Sequence, residues 1–188
     1  MVFKKTDKKT IEKITENLKN NGIVILPCDT IYGITCIPGI AEDRIREIKG
    51  REENKQFIKL IPSVNYLENI SADIPDTGIF SLWPAPLTLI INAKTGRTEA
   101  VRVPQDNFLI EILSLLGKPL VSTSVNRSGN PAMNNITDIV ETFEKTVDLI
   151  IDGGDMCDSA PSTIVDLTSR PFKILRQGKC VVPAEYLV

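Results

Sequence analysis

Lys118–Pro131 reads KPLVSTSVNRSGNP. An apolar run passes within a few residues into hydroxyls, an amide, an arginine and a glycine. Before it stands DNFLIEILSLLG (106–117), whose apolar spacing predicts a helix with Asp106 as N-cap and Gly117 as stop. The pair reads as a helix feeding a buried strand, PLVST, whose far end leaves the core in polar residues. No GxxxxGK phosphate loop accompanies that end.

Outward from this unit the same alternation repeats. Thr10–Leu18 (TIEKITENL) and 41–49 (AEDRIREIK) carry isoleucines and leucines at helical spacing, closing near Asn21-Gly22 and at Gly50. GIVILP, FIKLIP, Leu87–Ile91, AVRVP and VDLIIDGG read as short buried strands. SVNYLENI reads as a helix capped by Ser63, and ITDIVETFE as another helix. Trp83-Pro-Ala-Pro separates what precedes it from the strand that follows. STIVDL and FKILRQG follow one another with no helix between, as a hairpin or adjacent pair. The expectation is an α/β fold with a twisted, open, mixed sheet and helices on its faces. No repeat or linker divides the chain, so 1–188 reads as one domain.

Composition narrows the chemistry. Lys+Arg 22 against Asp+Glu 24 gives a net charge of −2, which does not advertise a nucleic-acid binder but leaves a local basic cleft open. No apolar run approaches the roughly 20 residues of a membrane helix, and MVFKKTDKKT has no apolar core of a leader, so the expectation is a cytoplasmic protein. Cys28, Cys36, Cys157 and Cys180 form no CxxC pair and read as free thiols; Cys28 and Cys36 as neighbours across a turn is the remote alternative. The chain has no histidine, which excludes the usual zinc sites and the Ser-His-Asp and Cys-His nucleophile systems.

Several residues carry chemistry under these limits. Lys49-Gly50-Arg51 places two cations at a helix end, either as macrodipole partners or, with Lys55 and Lys59, as a basic rim that holds phosphates. Arg102 sits inside a run of valines, either in an internal salt bridge or as a carboxylate clamp. CDTIYG, STSVNRSG and PSTIVDL are polar strand ends, the places where open α/β sheets collect ligands.

Across nearly its whole length the chain resembles the YrdC/TsaC family of threonylcarbamoyl-AMP synthases. The stretches that carry the resemblance are PCDTIYGITC, IREIKGREENKQFIKLIPS, FSLWPAPLTLII, AVRVP, KPLVSTSVNRSGNP, VDLIIDGG, PSTIVDL and ILRQG, with K-x-R and S-x-N as the hallmark pair. The resemblance implies a YrdC-like sheet with a basic concave cleft. It also implies an enzyme that condenses L-threonine, bicarbonate and ATP to L-threonylcarbamoyladenylate and pyrophosphate, for threonylcarbamoyladenosine in tRNA. Mg²⁺ would arrive with ATP, with no metal site in the protein. Downstream threonylcarbamoyl-transfer proteins would take the product, and the assembly would be a monomer or weak dimer.

Position by position, the resemblance implies that Thr30, Arg102, Ser124 and Ser162 contact threonine. Arg51, Lys55, Thr98, Asn126, Asn134 and Arg176 fall on the ATP side, and Lys49 faces phosphate; Lys49 and Arg51 are the catalytic pair. Both are expected to face solvent in the cleft. Cys28, Glu52, Ala85 and Asn134 depart from the family's usual threonine, proline, glycine and Ser/Thr, and Leu60 or its neighbours stand where some members have a threonine-contacting histidine. The alternative is a YrdC-like protein that binds RNA or a nucleotide through the cleft without making the adenylate.

Overall fold

A computed structural model describes residues 1–39, 41–53, 55–156 and 159–188. In chain order the strands are β1 (Val2–Lys4), β2 (Val24–Pro27), β3 (Tyr32–Cys36), β4 (Ile58–Leu60), β5 (Leu87–Asn92), β6 (Thr98–Arg102), β7 (Leu120–Ser124), β8 (Leu149–Asp152), β9 (Thr163–Asp166) and β10 (Lys173–Arg176). The helices are α1 (Thr10–Lys19), α2 (Ala41–Lys49), α3 (Leu67–Ile70), α4 (Asn107–Leu116) and α5 (Ile136–Phe143). The strands form one ten-stranded sheet in the order β1-β8-β2-β3-β7-β4-β6-β5-β9-β10. The sheet is mixed, as expected: β1 and β2 run parallel to β8, β4 to β6 and β5 to β9, while the remaining pairs are antiparallel.

Alternation along the strands decides which helix lies on which face. Val24 and Leu26 of β2, with Leu149 and Ile151 of β8, pack against Ile14 and Leu18 of α1 and Leu109, Ile112 and Leu113 of α4. Ile25 and Ile150 point the other way, to Ile45 of α2 and Ile139 and Phe143 of α5. A further core joins β5, β6 and β9 to Ile79 and Trp83. Each fully buried Ile or Leu side chain contributes about 1.5–3 kcal/mol, so these faces fix the register strongly.

The helix ends behave as their residues dictate. The Asp106 carboxylate accepts from Phe108 N at 2.8 Å, and Gly117 closes α4 in the left-handed region at φ 60°. The 63–70 segment differs from its sequence reading. Val64–Tyr66 is a 3-10 turn followed by the single-turn α3, and the Ser63 side chain makes no capping bond. Two strands escaped the sequence. β1 is a short edge strand among lysines, and β3 lies inside the polar CDTIYGITC segment yet is buried along its full length. Cys28 and Cys36 are free and pack in different cores, Cys180 is free, and Cys157 lies outside the described residues. No helix among the described residues is long and apolar enough to cross a membrane.

Candidate active site

The centre of the sheet builds a small pocket of about 40 Å³. β3, β7, β4 and β6 are consecutive neighbours, and their register sets Gly33 opposite Ser124, Ile58 opposite Ser122, and Leu60 opposite Arg102. The two-residue repeat turns these side chains to one face. Thr30, from the loop joining β2 to β3, and Ser162, just before β9, complete the lining. Gly33 has a steric purpose here. A Cβ at this position would lie 2.7 Å from Ser122 Oγ and 3.2 Å from Cys28 Sγ.

Arg102 dominates the pocket's electrostatics at 4% exposure. Its Nη1 donates to Thr30 Oγ1 at 3.2 Å, and its Nη2 pairs with the buried Asp29 carboxylate. Asp29 also accepts from Gln105 N through its second oxygen, at 2.9 Å. The Nε–H of Arg102 is buried without a partner. An orphaned donor on a buried cation is costly, and an anion entering the pocket would satisfy it. Ser162, 2% exposed, shares a 2.8 Å hydrogen bond with Thr88 Oγ1. The Arg176 guanidinium donates to Ser162 O at 3.0 and 2.9 Å and to its Oγ at 3.2 Å. Burial, and then the charge of Arg102, lower the pKa of Arg176. Arg176 thus grips Ser162 by both its carbonyl and its hydroxyl. Burial drives the Cys28 thiol up to about 12 although Arg102 opposes it, which leaves a neutral wall rather than a nucleophile.

Lys49 lies elsewhere than expected. It is 2% exposed, and its ammonium donates to Ser124 O (2.5 Å), Asn126 O (2.8 Å) and Asn126 Oδ1 (2.7 Å). The solvent-facing placement is therefore corrected: an ammonium has three N–H groups, and all three are taken by Ser124 and Asn126 at the end of β7. Burial, with the nearby Arg51 charge second, lowers its pKa to about 8. Arg51 is half-buried rather than projecting: its guanidinium donates to Gln56 O at 2.7 Å and sits 5.1 Å from the Phe57 ring centroid. Lys55 is exposed and paired with Glu52 at 3.3 Å.

A second, open cleft of about 690 Å³ adjoins α2 and β6, with Thr98 and Gln56 in its wall. Gln56 Nε2 donates to Thr98 O at 2.8 Å and to Thr98 Oγ1 at 3.0 Å. Its lining carries both signs of charge. Arg46, Lys59 and Arg97 are interspersed with Glu42, Glu53 and Glu99, and Lys59 is paired with Glu99.

Thr30, Arg102, Ser124 and Ser162 thus converge on one pocket, while Thr98 lines a different cleft. Asn126 faces inward to its own loop: its Oδ1 accepts from Ser124 Oγ at 2.7 Å and its Nδ2 donates to Asn130 O at 2.6 Å. Asn134 Oδ1 accepts from Tyr32 N at 3.2 Å, tying its loop to the start of β3. Sequence reasoning missed Asp29 as the partner of Arg102, although it had weighed a salt bridge there. It also missed Thr88, Gln56 and Arg127. Asp29 left a signal as an acid beside Thr30 in CDTIYG, and Arg127 as the arginine of STSVNRSG.

With this geometry in place, the likeness to known proteins is specific. The Sua5/YciO/YrdC family model, described as "Telomere recombination", matches residues 16–178. A threonylcarbamoyl-AMP synthase of Klebsiella pneumoniae is 33% identical over 178 residues, covering 86% of this chain and 92% of that protein. One of Pyrococcus abyssi is 31% identical over 175 residues, covering 86% of this chain but 52% of its own length, so the chain spans about half of that relative. The crystal structure of P. abyssi Sua5 complexed with L-threonine superposes with a TM-score of 0.84 at 29% identity, over 92% of this chain and 55% of that one. E. coli YciO, at 24% identity and a TM-score of 0.83, covers 100% of this chain and 97% of its own and shares the fold. The polar strand ends, the buried arginine and the clamped S-x-N loop are therefore those of a member of the Sua5/YciO/YrdC family, to which this chain belongs.

Proposed function

We propose that this chain is an L-threonylcarbamoyladenylate synthase, joining L-threonine, bicarbonate and ATP. The observation that carries the reading is the unpartnered, buried Nε–H of Arg102, which lines a small pocket whose other polar groups are mostly hydroxyls. A small hydroxy amino acid matches it: its carboxylate meets the free edge of the guanidinium, and its own hydroxyl meets Thr30, Ser124 or Ser162. The Klebsiella relative, which this chain covers almost end to end, bears the name of that activity, and the P. abyssi relative binds L-threonine.

The chemistry needs no histidine. The threonine amine attacks the carbon of bicarbonate, water leaves, and a carbamate remains. A carbamate oxygen then attacks the α-phosphorus of ATP, the bond from that phosphorus to the bridging oxygen breaks, and pyrophosphate departs. The carbamate is already an anionic nucleophile, so the protein's part is to align two anions and offset their charge. Threonine occupies the Arg102 pocket. The nucleotide is assigned beside it, to the residues that the family resemblance puts on the ATP side: Arg51, Lys55, Thr98, Asn126, Asn134 and Arg176. A magnesium ion would arrive with the triphosphate, whose oxygens are the hard ligands it prefers. The product is a mixed anhydride, suited to transfer of its threonylcarbamoyl group to tRNA by downstream proteins.

Pyrophosphate release from ATP tests the reading. It must require both threonine and bicarbonate; release indifferent to threonine, or salt-sensitive RNA binding without release, overturns it.

A further inference from the structure

The end of α2 and the loop after β7 are joined in both directions. From α2, the three N–H groups of the Lys49 ammonium reach Ser124 O, Asn126 O and Asn126 Oδ1. From the loop, Ser128 N donates to Lys49 O at 2.6 Å, and Arg127 Nη1 donates to Ile48 O at 3.3 Å. These are the last carbonyls of α2, which lack helical partners of their own. The loop then closes on itself through Ser124 Oγ, Asn126 and Asn130 O. Lys49 and the loop are more than 70 residues apart in sequence, so the junction is purely tertiary.

We propose that Lys49 is a positioning residue, assisted by Arg127. Together they fix the Ser124–Asn126 loop against the end of α2, so that Ser124 faces the amino-acid pocket and Asn126, with one Nδ2 hydrogen bonded to Asn130 O, keeps its second N–H for the nucleotide. Lys49 itself touches neither substrate. An ammonium is buried only where its donors are satisfied, and three oxygens of one short loop satisfy all of them. The arrangement suits a lysine specifically, because three acceptors converge on a point, whereas a guanidinium presents a flat fork. What the loop binds rests on the adenylate-forming reading above; the clamp does not.

The clamp and the substrates it serves are tested separately. Hydrogen exchange of the loop amides of Asn126, Arg127, Ser128 and Asn130 is followed in the full chain and in Lys49→Met, which keeps the length of the side chain and removes its donors. The KM values for threonine and ATP are measured alongside. The expected result is faster exchange confined to this loop, with both KM values rising together by about 10- to 100-fold, as misplacement by about 1 Å would produce. A rise in the ATP KM alone, with unchanged exchange, overturns the proposal and returns Lys49 to phosphate binding. Arg127→Ala, at an exposed position outside both pockets, carries the same test if Lys49→Met does not fold. It should loosen the loop and raise both KM values by a smaller factor, and no change in either measurement overturns the clamp. If the unaltered protein releases no pyrophosphate, the functional reading fails while the exchange measurement still decides the clamp.

Discussion

Replacing Arg102 with methionine removes the guanidinium from the floor of the pocket while nearly keeping its length. Two losses follow, and they separate. The first is to folding: Asp29, 6% exposed in its side chain, is left as a buried carboxylate with only the Gln105 amide for compensation. Breaking a buried ion pair from one side costs about 3–5 kcal/mol. Adding Asp29→Asn removes the stranded charge and should restore about 1–3 kcal/mol of that loss. The second is to threonine binding. A hydrogen bond from a charged donor is worth about 1.5–3 kcal/mol, which raises the threonine KM by about 10- to 150-fold. Urea unfolding reads the first loss and threonine-dependent pyrophosphate release reads the second. The double variant should regain stability without regaining threonine affinity. A threonine KM unchanged in either variant would mean that the guanidinium serves Asp29 alone, and would refute the carboxylate seat.

Three further changes probe the surroundings. Gly33→Ala pushes a methyl group against Ser122 Oγ and Cys28 Sγ, and should destabilise by about 1–3 kcal/mol while raising the threonine KM far more than the ATP KM; equal effects on both would contradict the placement of the pocket. Ser162→Ala leaves Thr88 Oγ1 without its partner and Arg176 without one of its bonds, for about 1–3 kcal/mol in urea unfolding, and a neutral result would contradict the network. Lys49 has its folded pKa lowered to about 8 from 10.5, by burial first and the Arg51 charge second, so between these values the unfolded chain binds the extra proton. Stability from this group therefore rises as pH climbs from about 8 towards 10.5, and is lost as pH falls through 8. The corresponding slope should vanish in Lys49→Met, and an identical slope would place the titration elsewhere.

The fold was legible where local pattern and burial agree. The helix 106–117 shows this: its cap, its stop and its apolar stripe are all local, and each is found in α4. β3 was not legible, because Gly33 and Thr35 turn to one face and Tyr32, Ile34 and Cys36 to the other, so a wholly buried strand carries pocket residues and reads as polar. β1 is three residues long beside lysines, too short for any period to register. The 63–70 segment had the composition of a helix start but only room for two tight turns.

The site divides along similar lines. Polar residues at strand ends were visible as a set, and the register gathers Thr30, Arg102, Ser124 and Ser162 at one pocket. Lys49 was misread because a lysine in the last turn of a helix already has a sufficient local explanation in the helix dipole. Its true partners are brought to it only by the folded sheet. The same holds for Asp29 and Arg102, whose pairing spans 73 residues.

Adenylate formation is tested most directly by the identity of the product. The protein is incubated with ATP, L-threonine and carbon-13-labelled bicarbonate, and the product is weighed by mass spectrometry. The expected product is threonylcarbamoyl-AMP carrying the label at its carbamoyl carbon, with one pyrophosphate released for each molecule formed. An unlabelled adenylate of threonine, or ATP consumption with no threonine in the product, would contradict it.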